Sequence, residues 1–526
     1  MMRSRLYTFL LLLSLPLSQV LGQGYEITVK ANGFEGDTVQ LGYFLMDKQY
    51  VSDTAIAVGK GEFTFQGEEL LAPGMYFVVF PPDNQFLQFS IPSENQSFKV
   101  IADYADISGS VKFSGSPENE QFYTYLRFLE QKGKEAEEIK ASRESLAEDQ
   151  RSSADEALTA LDGQVKAYQN DILANTPESM TALIIKSTRE PEIPDFEGEK
   201  AEVDRLRFYY YRDHYFDNTD LSDPRLLRTP LLFSKVDRYI QKLTVQHPDS
   251  ISTSLDRVLT AMEPAEETFK YYLVHYLNEY ARSKFVGMDA VYVHLVNSYY
   301  ATGKAPWTEE EQLTKIIDNA KTLGPLLLGR IAPNIALQQL DVPGTIAVKE
   351  HEDELYRVKT GNTIPLHQVD AQYTLLVFWD PDCGHCKKSM PKLRDFYASY
   401  KDKGFEIYAV CGRTVNESGM VKCAEYLQKN EMLDWLNMVD PYYRTKFKST
   451  YDIKSTPQLY LLDKNKEILS KRFDAEQLEE ILLNYMGADE KNLTEENESQ
   501  APTGAGKPVN SDGGSSGSGQ SAGKQD

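Results

Sequence analysis

From residue 24 to about 114 the chain alternates apolar and polar positions in short runs, such as Glu26-Ile27-Thr28-Val29, Thr38-Val39-Gln40-Leu41, Glu62-Phe63-Thr64-Phe65 and Met75-Tyr76-Phe77-Val78-Val79-Phe80. A period of two puts successive side chains on opposite faces and predicts strands. Gly33, Gly36, Gly61, Gly67 and Pro73-Gly74 fall between the runs at turn positions. The stretch 24–114 is therefore expected to be a small antiparallel β domain of sandwich or barrel kind. From Ser116-Pro117-Glu118 the composition turns to Glu, Lys, Gln, Ala and Leu with little glycine, and residues 115–175 read as one or two long charged helices. Breaks at Asn175-Thr176-Pro177 and Leu323-Gly324-Pro325 bound an all-helical region over 176–325. Its Tyr271, Tyr272, His275, Tyr276, Glu279 and Tyr280 recur at helical spacing. Such stripes, and the run Phe208-Tyr209-Tyr210-Tyr211, are read as core edges whose hydroxyls reach water, in preference to a ligand site. His275 and His294 are read as satisfied core or boundary histidines.

The last third changes period again. Tyr373-Thr374-Leu375-Leu376-Val377-Phe378-Trp379 is a continuous apolar run, Lys387 to Tyr400 is helical in pattern, and Phe405-Glu406-Ile407-Tyr408-Ala409-Val410 is a second strand. Strand, helix and strand make a βαβ unit with a right-handed crossover. A hairpin follows, Gln458-Leu459-Tyr460-Leu461-Leu462 and Lys466-Glu467-Ile468-Leu469 about a turn at Asp463-Lys464-Asn465, and then a last helix over about 474–486.

The two ends stand apart. Met1 to Arg5 carries two arginines, Tyr7 to Leu17 is almost continuously apolar, and Val20-Leu21-Gly22 precedes Gln23. Residues 1–22 are thus expected to be a secretory signal, too short to span a bilayer comfortably. After Tyr485 aromatic residues cease and Gly, Ser, Asn and Gln dominate, so 488–526 is expected to be a flexible tail. The 526 residues carry Lys+Arg 56 against Asp+Glu 79, a net charge of −23, which argues against nucleic acid or anionic membrane surfaces as the main partner.

All four cysteines, Cys383, Cys386, Cys411 and Cys423, lie in this last third. Cys383-Gly384-His385-Cys386 is a C-x-x-C between a strand and a helix, the order of a redox motif in an α/β unit. A cysteine at a helix N-terminus faces unpaired N–H groups and the positive end of the dipole, so the Cys383 thiol is expected to ionise early. Two intervening residues put Cys386 one turn away, where it can attack a mixed disulfide at Cys383. His385 can favour the thiolate and make the couple more oxidising. Cys411 and Cys423, spaced by eleven residues, do not make the second half of a zinc site. They either form a structural disulfide or stay buried as free thiols. No HExxH, P-loop, GxGxxG or clustered His/Cys/carboxylate set occurs, so no metal or cofactor is expected.

Residues 329–487 resemble the thioredoxin fold of exported thiol–disulfide oxidoreductases of the TlpA/ResA type. The matching residues are Phe378-Trp379-Asp380-Pro381-Asp382-Cys383-Gly384-His385-Cys386-Lys387, Pro391, Ser455-Thr456-Pro457 and the opening Gly329-Arg330-Ile331-Ala332-Pro333. The resemblance implies that Cys383 and Cys386 are catalytic, that Trp379, Pro381, Gly384 and His385 tune the couple, that Pro457 is cis, and that Thr456 docks the substrate backbone. Two departures matter. Val377 stands six residues before the first cysteine, where cytoplasmic thioredoxins bury an Asp, so the base for Cys386 is unassigned. Glu406, Asp380 and Asp382 are candidates by sequence proximity, against a plain reading as solvated charges. A peroxiredoxin reading would need proline and a hydroxyl at the positions of Leu376 and Asp380.

The expected architecture is multidomain, with a small antiparallel β domain, an all-α middle region and a C-terminal α/β thioredoxin fold. The expected function is thiol–disulfide exchange in the periplasm or cell envelope, in the reductase direction. Its partners are cysteine-containing envelope proteins and an unidentified membrane electron donor or acceptor. The competing reading is an envelope scaffold in which the front domains dock a partner and the thioredoxin-like domain assists.

Overall fold

The computed structural model describes residues 24–487 apart from 146, 149, 150, 351, 352, 414 and 415. The expected signal over 1–22 and tail over 488–526 lie outside the described residues. The chain divides into two compact units, with the boundary between Lys321 and Thr322. No helix among the described residues is long and apolar enough to cross a membrane.

The first unit opens with eight strands: β1 (Tyr25–Asn32), β2 (Thr38–Leu45), β3 (Lys48–Ile56), β4 (Glu62–Gly67), β5 (Gly74–Phe80), β6 (Gln85–Ile91), β7 (Ser97–Asp103) and β8 (Lys112–Ser114). They form two four-stranded sheets, ordered β4-β1-β7-β8 and β3-β2-β5-β6. Alternation does its work in β1, where Ile27, Val29 and Ala31 are buried and the residues between them are not. One pairing departs from the expected antiparallel pattern: β1 and β7 run parallel, Ile27 opposite Phe98 and Val29 opposite Val100. A period of two specifies which face is buried and carries no direction, and the distant β7 reaches β1 by a long connection.

Helices follow as α1 (Ile107–Ser110), α2 (Pro117–Ser145), α3 (Arg151–Asn175), α4 (Met180–Thr188), α5 (Lys200–Asp213), α6 (Pro230–Arg238), α7 (Pro248–Met262), α8 (Glu266–Ala281), α9 (Asp289–Leu295) and α10 (Glu310–Leu323). The charged stretch is two helices, α2 and α3, which meet through Tyr125, Leu129, Tyr168 and Ile172 and through Arg143 on Asp155 at 2.7 Å. Tyr272, Tyr276 and Tyr280 of α8 are buried, but the expectation that such hydroxyls reach water fails for two of them. Tyr272 and Tyr276 lie wholly inside, their hydroxyls without a partner among the described residues, because α8 is enclosed on this face by α7 and α9. His294 is satisfied at the boundary by Asp256, 2.9 Å away.

Asn119 fastens α2 to the sheet. Fully buried, its side-chain oxygen accepts from the Ser90 N–H at 2.7 Å and its amide donates to the Ser90 carbonyl at 2.8 Å.

The second unit holds β9 (Ala336–Leu340), β10 (Ile346–Glu350), β11 (Asp353–Arg357), β12 (Thr360–Pro365), β13 (Tyr373–Trp379), β14 (Phe405–Cys411), β15 (Leu436–Val439), β16 (Gln458–Leu462) and β17 (Ile468–Lys471). Seven of these form one sheet in the order β12-β9-β15-β14-β13-β16-β17. Strands β13, β14 and β15 are parallel, and β16 returns antiparallel on the other side of β13. Helices α11 (Gly384–Tyr400), α12 (Glu417–Lys429) and the short α13 (Phe447–Thr450) connect them.

Every residue of β13 is buried, which explains its unbroken apolar run. Leu375, Val377 and Trp379 face a core that includes Met390 and Leu393 of α11, Met420 and Leu427 of α12, and Leu478 and Leu482 of the last helix. Leu376 and Phe378 face a second core with Tyr408, Tyr460, Phe447 and Tyr451. The chain thus forms a central sheet with a packed layer on each face, the α/β architecture anticipated for this region.

Replacing Asn119 by Leu keeps the volume but leaves the Ser90 N–H and carbonyl buried without partners, which costs roughly 1–3 kcal/mol. Urea unfolding of the Asn119→Leu variant is expected to show that loss, read on the transition of the first unit.

Candidate dithiol site

The C-terminal end of β13 sets the site. Trp379 lies opposite Cys411 in the parallel ladder, and the Gly412 N–H donates to the Trp379 carbonyl at 2.8 Å, so the chain leaves the sheet there. Asp380-Pro381-Asp382 turns it, the Cys383 N–H donating to the Asp380 carbonyl at 3.1 Å. Cys383 is then the N-cap of α11, and its sulfur accepts from the Cys386 N–H at 3.4 Å. Both thiols are free.

The two sulfurs differ in surroundings. Cys383 is half-buried, while Cys386 is fully inside and packs in the core with Trp379 and Met390. Burial alone pushes the Cys383 thiol up, but the Thr456 side chain, the Cys386 and His385 N–H groups and the Cys386 thiol together hold it below its ordinary value. Burial dominates at Cys386 and pushes that thiol up to about 12, against opposing help from the Asp380 backbone and Thr456.

The other sequence-named residues fall around this pair. The Thr456–Pro457 bond is cis, and the Cys383 thiol donates to the Thr456 carbonyl at 3.0 Å. His385 is exposed and turns its backbone N–H to Cys383. Gly384 is exposed too, and a side chain there would meet nothing within 4 Å, so packing does not dictate glycine. Pro381 is buried, and Trp379 is buried against Tyr426 of α12, ring centroids 5.4 Å apart. Cys411 and Cys423 are joined as a disulfide that ties the end of β14 to α12, Cα atoms 6.5 Å apart, which removes both from any zinc site.

The carboxylates fit the plain solvated reading unequally, Asp382 being exposed while Asp380 and Glu406 are partly buried. Glu406 is half-buried, accepts from the Tyr397 hydroxyl at 3.2 Å, and is pushed up by that burial. It stands opposite Thr374, five strand residues from the Trp379–Cys411 end, which is about 16 Å at 3.3 Å per residue. That distance removes it as a proton acceptor for Cys386. Asp380 and Asp382 sit beside the cysteines but are paired, with Arg413 on Asp380 at 2.8 Å and on Asp382 at 3.1 Å. Sequence reading passed over Arg413 and Tyr426. Neither belongs to a motif, and each acts through a partner more than thirty residues away.

A lowered, accessible thiol above a raised, buried one, capped on a helix and set against a cis-Thr-Pro segment, defines a thioredoxin-like dithiol site. The comparisons agree. Residues 370–468 match the family described as Thioredoxin-like. Residues 25–122 and 141–323 match two families described as Domain of unknown function, DUF4369 and DUF5106. The chain is 28% identical over 144 residues to the thiol-disulfide oxidoreductase ResA of Oceanobacillus iheyensis, covering 27% of this chain and 62% of that protein. It is 32% identical over 107 residues to a thioredoxin-like protein of Haemophilus influenzae, covering 20% and 58%. It thus spans about three fifths of the length of these two curated relatives. A solved domain of a possible thiol-disulfide isomerase from Cytophaga hutchinsonii is 36% identical and covers 32% of this chain and 98% of its own, with a TM-score of 0.25. A thioredoxin-like protein from Bacteroides caccae is 20% identical and covers 56% and 97%, with a TM-score of 0.39. The C-terminal unit is a thioredoxin-like domain related to the ResA-type thiol–disulfide oxidoreductases.

Two outcomes follow from the geometry. With the Cys383 thiol lowered, its thiolate persists as pH falls below the ~8.5 of a free cysteine, whereas Cys386 stays protonated through neutrality. Iodoacetamide at pH 7 is therefore expected to label Cys383 alone in the reduced protein, as mapped by peptide mass spectrometry. Exchange rates of Glu406→Gln, measured by stopped flow with a small disulfide, are expected to stay within about twofold of the parent, since the group stands about 16 Å along the sheet from the strand end that leads to the cysteines.

Proposed function

We propose that the protein exchanges thiols and disulfides with exported, cysteine-containing proteins of the periplasm or cell envelope, acting as a reductase. The observation that carries this is the unequal pair at the N-terminus of α11, Cys383 lowered and accessible, Cys386 raised and buried. The Cys383 thiolate attacks one sulfur of a substrate disulfide, forming a mixed disulfide and releasing the first substrate thiolate. Cys386 then attacks the Cys383 sulfur, its proton passing to that departing thiolate. The second substrate sulfur leaves, and the Cys383–Cys386 disulfide remains. Two electrons have moved to the substrate, so a dithiol donor in the membrane must restore the pair.

The remaining site residues have supporting parts in this reading. A substrate strand that reaches Cys383 passes Thr456, whose carbonyl already takes the Cys383 thiol, and Thr456 and Pro457 dock its backbone. The open space over Gly384 leaves room for that strand. His385, Pro381 and Trp379 shape the surroundings of the couple. The reductase direction rests on the likeness to ResA-type proteins.

A Cys386→Ser variant is expected to accumulate disulfide-linked partners, visible on non-reducing gels, because the mixed disulfide cannot resolve. Cys383→Ser is expected to lose exchange altogether. Full cellular function retained by Cys383→Ser would overturn the reading and leave a docking role to the first unit. The potential of the couple, titrated in glutathione buffers, decides the direction. A value near about −270 mV supports a reductase, and one between about −180 and −120 mV an oxidase or isomerase.

A further inference from the structure

Two aspartates immediately precede the first cysteine, and both are held by cations from the far side of the site. Arg413 Nε lies 2.8 Å from Asp380 Oδ2, and Arg413 Nη2 lies 3.1 Å from Asp382 Oδ2. Lys422 Nζ stands 3.6 Å from the same Asp382 oxygen. The other Asp380 oxygen accepts from the Asp382 N–H at 2.8 Å, so the segment is fixed from within as well as from without.

The source of the cations is the cross-linked corner. Arg413 comes two residues after Cys411 and Lys422 one residue before Cys423, so the disulfide ties together the two chain segments that carry them. Its sulfurs belong to residues 2% and 0% exposed, packed in the core beside Cys386 and Trp379, which makes them scaffold and not a second exchange pair. The Arg413 backbone is also pressed against α12. A Cβ on Gly419 would lie 2.5 Å from the Arg413 carbonyl and 2.9 Å from the Asn416 side chain that caps the helix.

We propose that Arg413, held in place by the Cys411–Cys423 cross-link, is a positioning residue for the dithiol. It pins and neutralises Asp380 and Asp382, so that the loop presenting Cys383 offers N–H groups to the sulfur without two free carboxylate charges beside it. The inference rests on the exchange reading of Cys383 and Cys386. On the helices that carry and flank the pair, His385, Lys387 and Lys388 lie on α11, and Lys422 and Tyr426 on α12. On the segment before β16, Asp452 is already paired with Lys454 at 3.2 Å and Arg472 at 3.5 Å. Arg413 is the group that bridges both aspartates.

The test uses the full-length reduced protein and follows the pH profile of Cys383 alkylation. Removing the charge that bridges the two aspartates is expected to raise the midpoint by about half a pH unit in Arg413→Met, roughly a threefold loss of rate below it, and to make the couple more reducing. Arg413→Lys is expected to recover most of the shift. Asp380→Asn and Asp382→Asn added to Arg413→Met should bring the midpoint back toward that of the parent. A double variant, Cys411→Ala with Cys423→Ala, should move it in the same direction as Arg413→Met. If that variant does not fold, Gly419→Ala, which displaces the Arg413 backbone, takes its place. An unchanged midpoint in Arg413→Met, or equal midpoints for Lys and Met, overturns the proposal. An unchanged midpoint in the cross-link variant overturns the anchoring. Failure of the parent itself to exchange with any disulfide would instead sink the function reading, whatever the variants show.

Discussion

The complete burial of β13 is the constraint on which the C-terminal unit depends. A strand covered on both faces cannot slip by one residue without exchanging two cores, Leu375, Val377 and Trp379 on one side for Leu376 and Phe378 on the other. Its register with β14 and β16 is thereby fixed, and so is the point at which it ends. That point is Trp379, and the loop that leaves it must deliver Cys383 to the start of α11. The position of the reactive sulfur follows from the packing of residues that take no part in its chemistry.

What the site adds is inequality between two like groups. The same helix start that gives Cys383 its N–H partners points Cys386 back into the core. One sulfur gains hydrogen bonds that suit a negative charge, and the other loses the water that a charge would need. Two identical side chains three positions apart thus acquire opposite tendencies from where the start of the helix places them.

How far this was legible in the sequence depends on the range of the interaction involved. The strand–helix–strand order shows in the sequence because burial on both faces leaves an unbroken apolar run and α11 leaves a periodic one. The front β domain shows in its alternation, while the parallel β1–β7 pair does not, since alternation is blind to strand direction. Tyr272 and Tyr276 look like any amphipathic tyrosines. Only the neighbouring helices enclose their hydroxyls. Glu406 seemed close to the cysteines by residue number and lies at the opposite end of its strand. Arg413 and Tyr426 carry no motif, because an ion pair or ring contact between distant segments is written in three dimensions and not in spacing. The spacing of Cys411 and Cys423 likewise left both the bridged and the free state open.

The buried cross-link has a consequence for how the chain comes to be made. Four cysteines admit three pairings, and only one leaves Cys383 and Cys386 able to open and close while Cys411 and Cys423 stay joined. The two pairs belong to one core, Cys411 and Cys423 joined and Cys383 and Cys386 free. Cys383 is the one of the four that is not buried, Cys386, Cys411 and Cys423 all being at or below 2% exposed. A reductant in solution meets the half-buried Cys383 first, whereas burial keeps the joined sulfurs of Cys411 and Cys423 away from water.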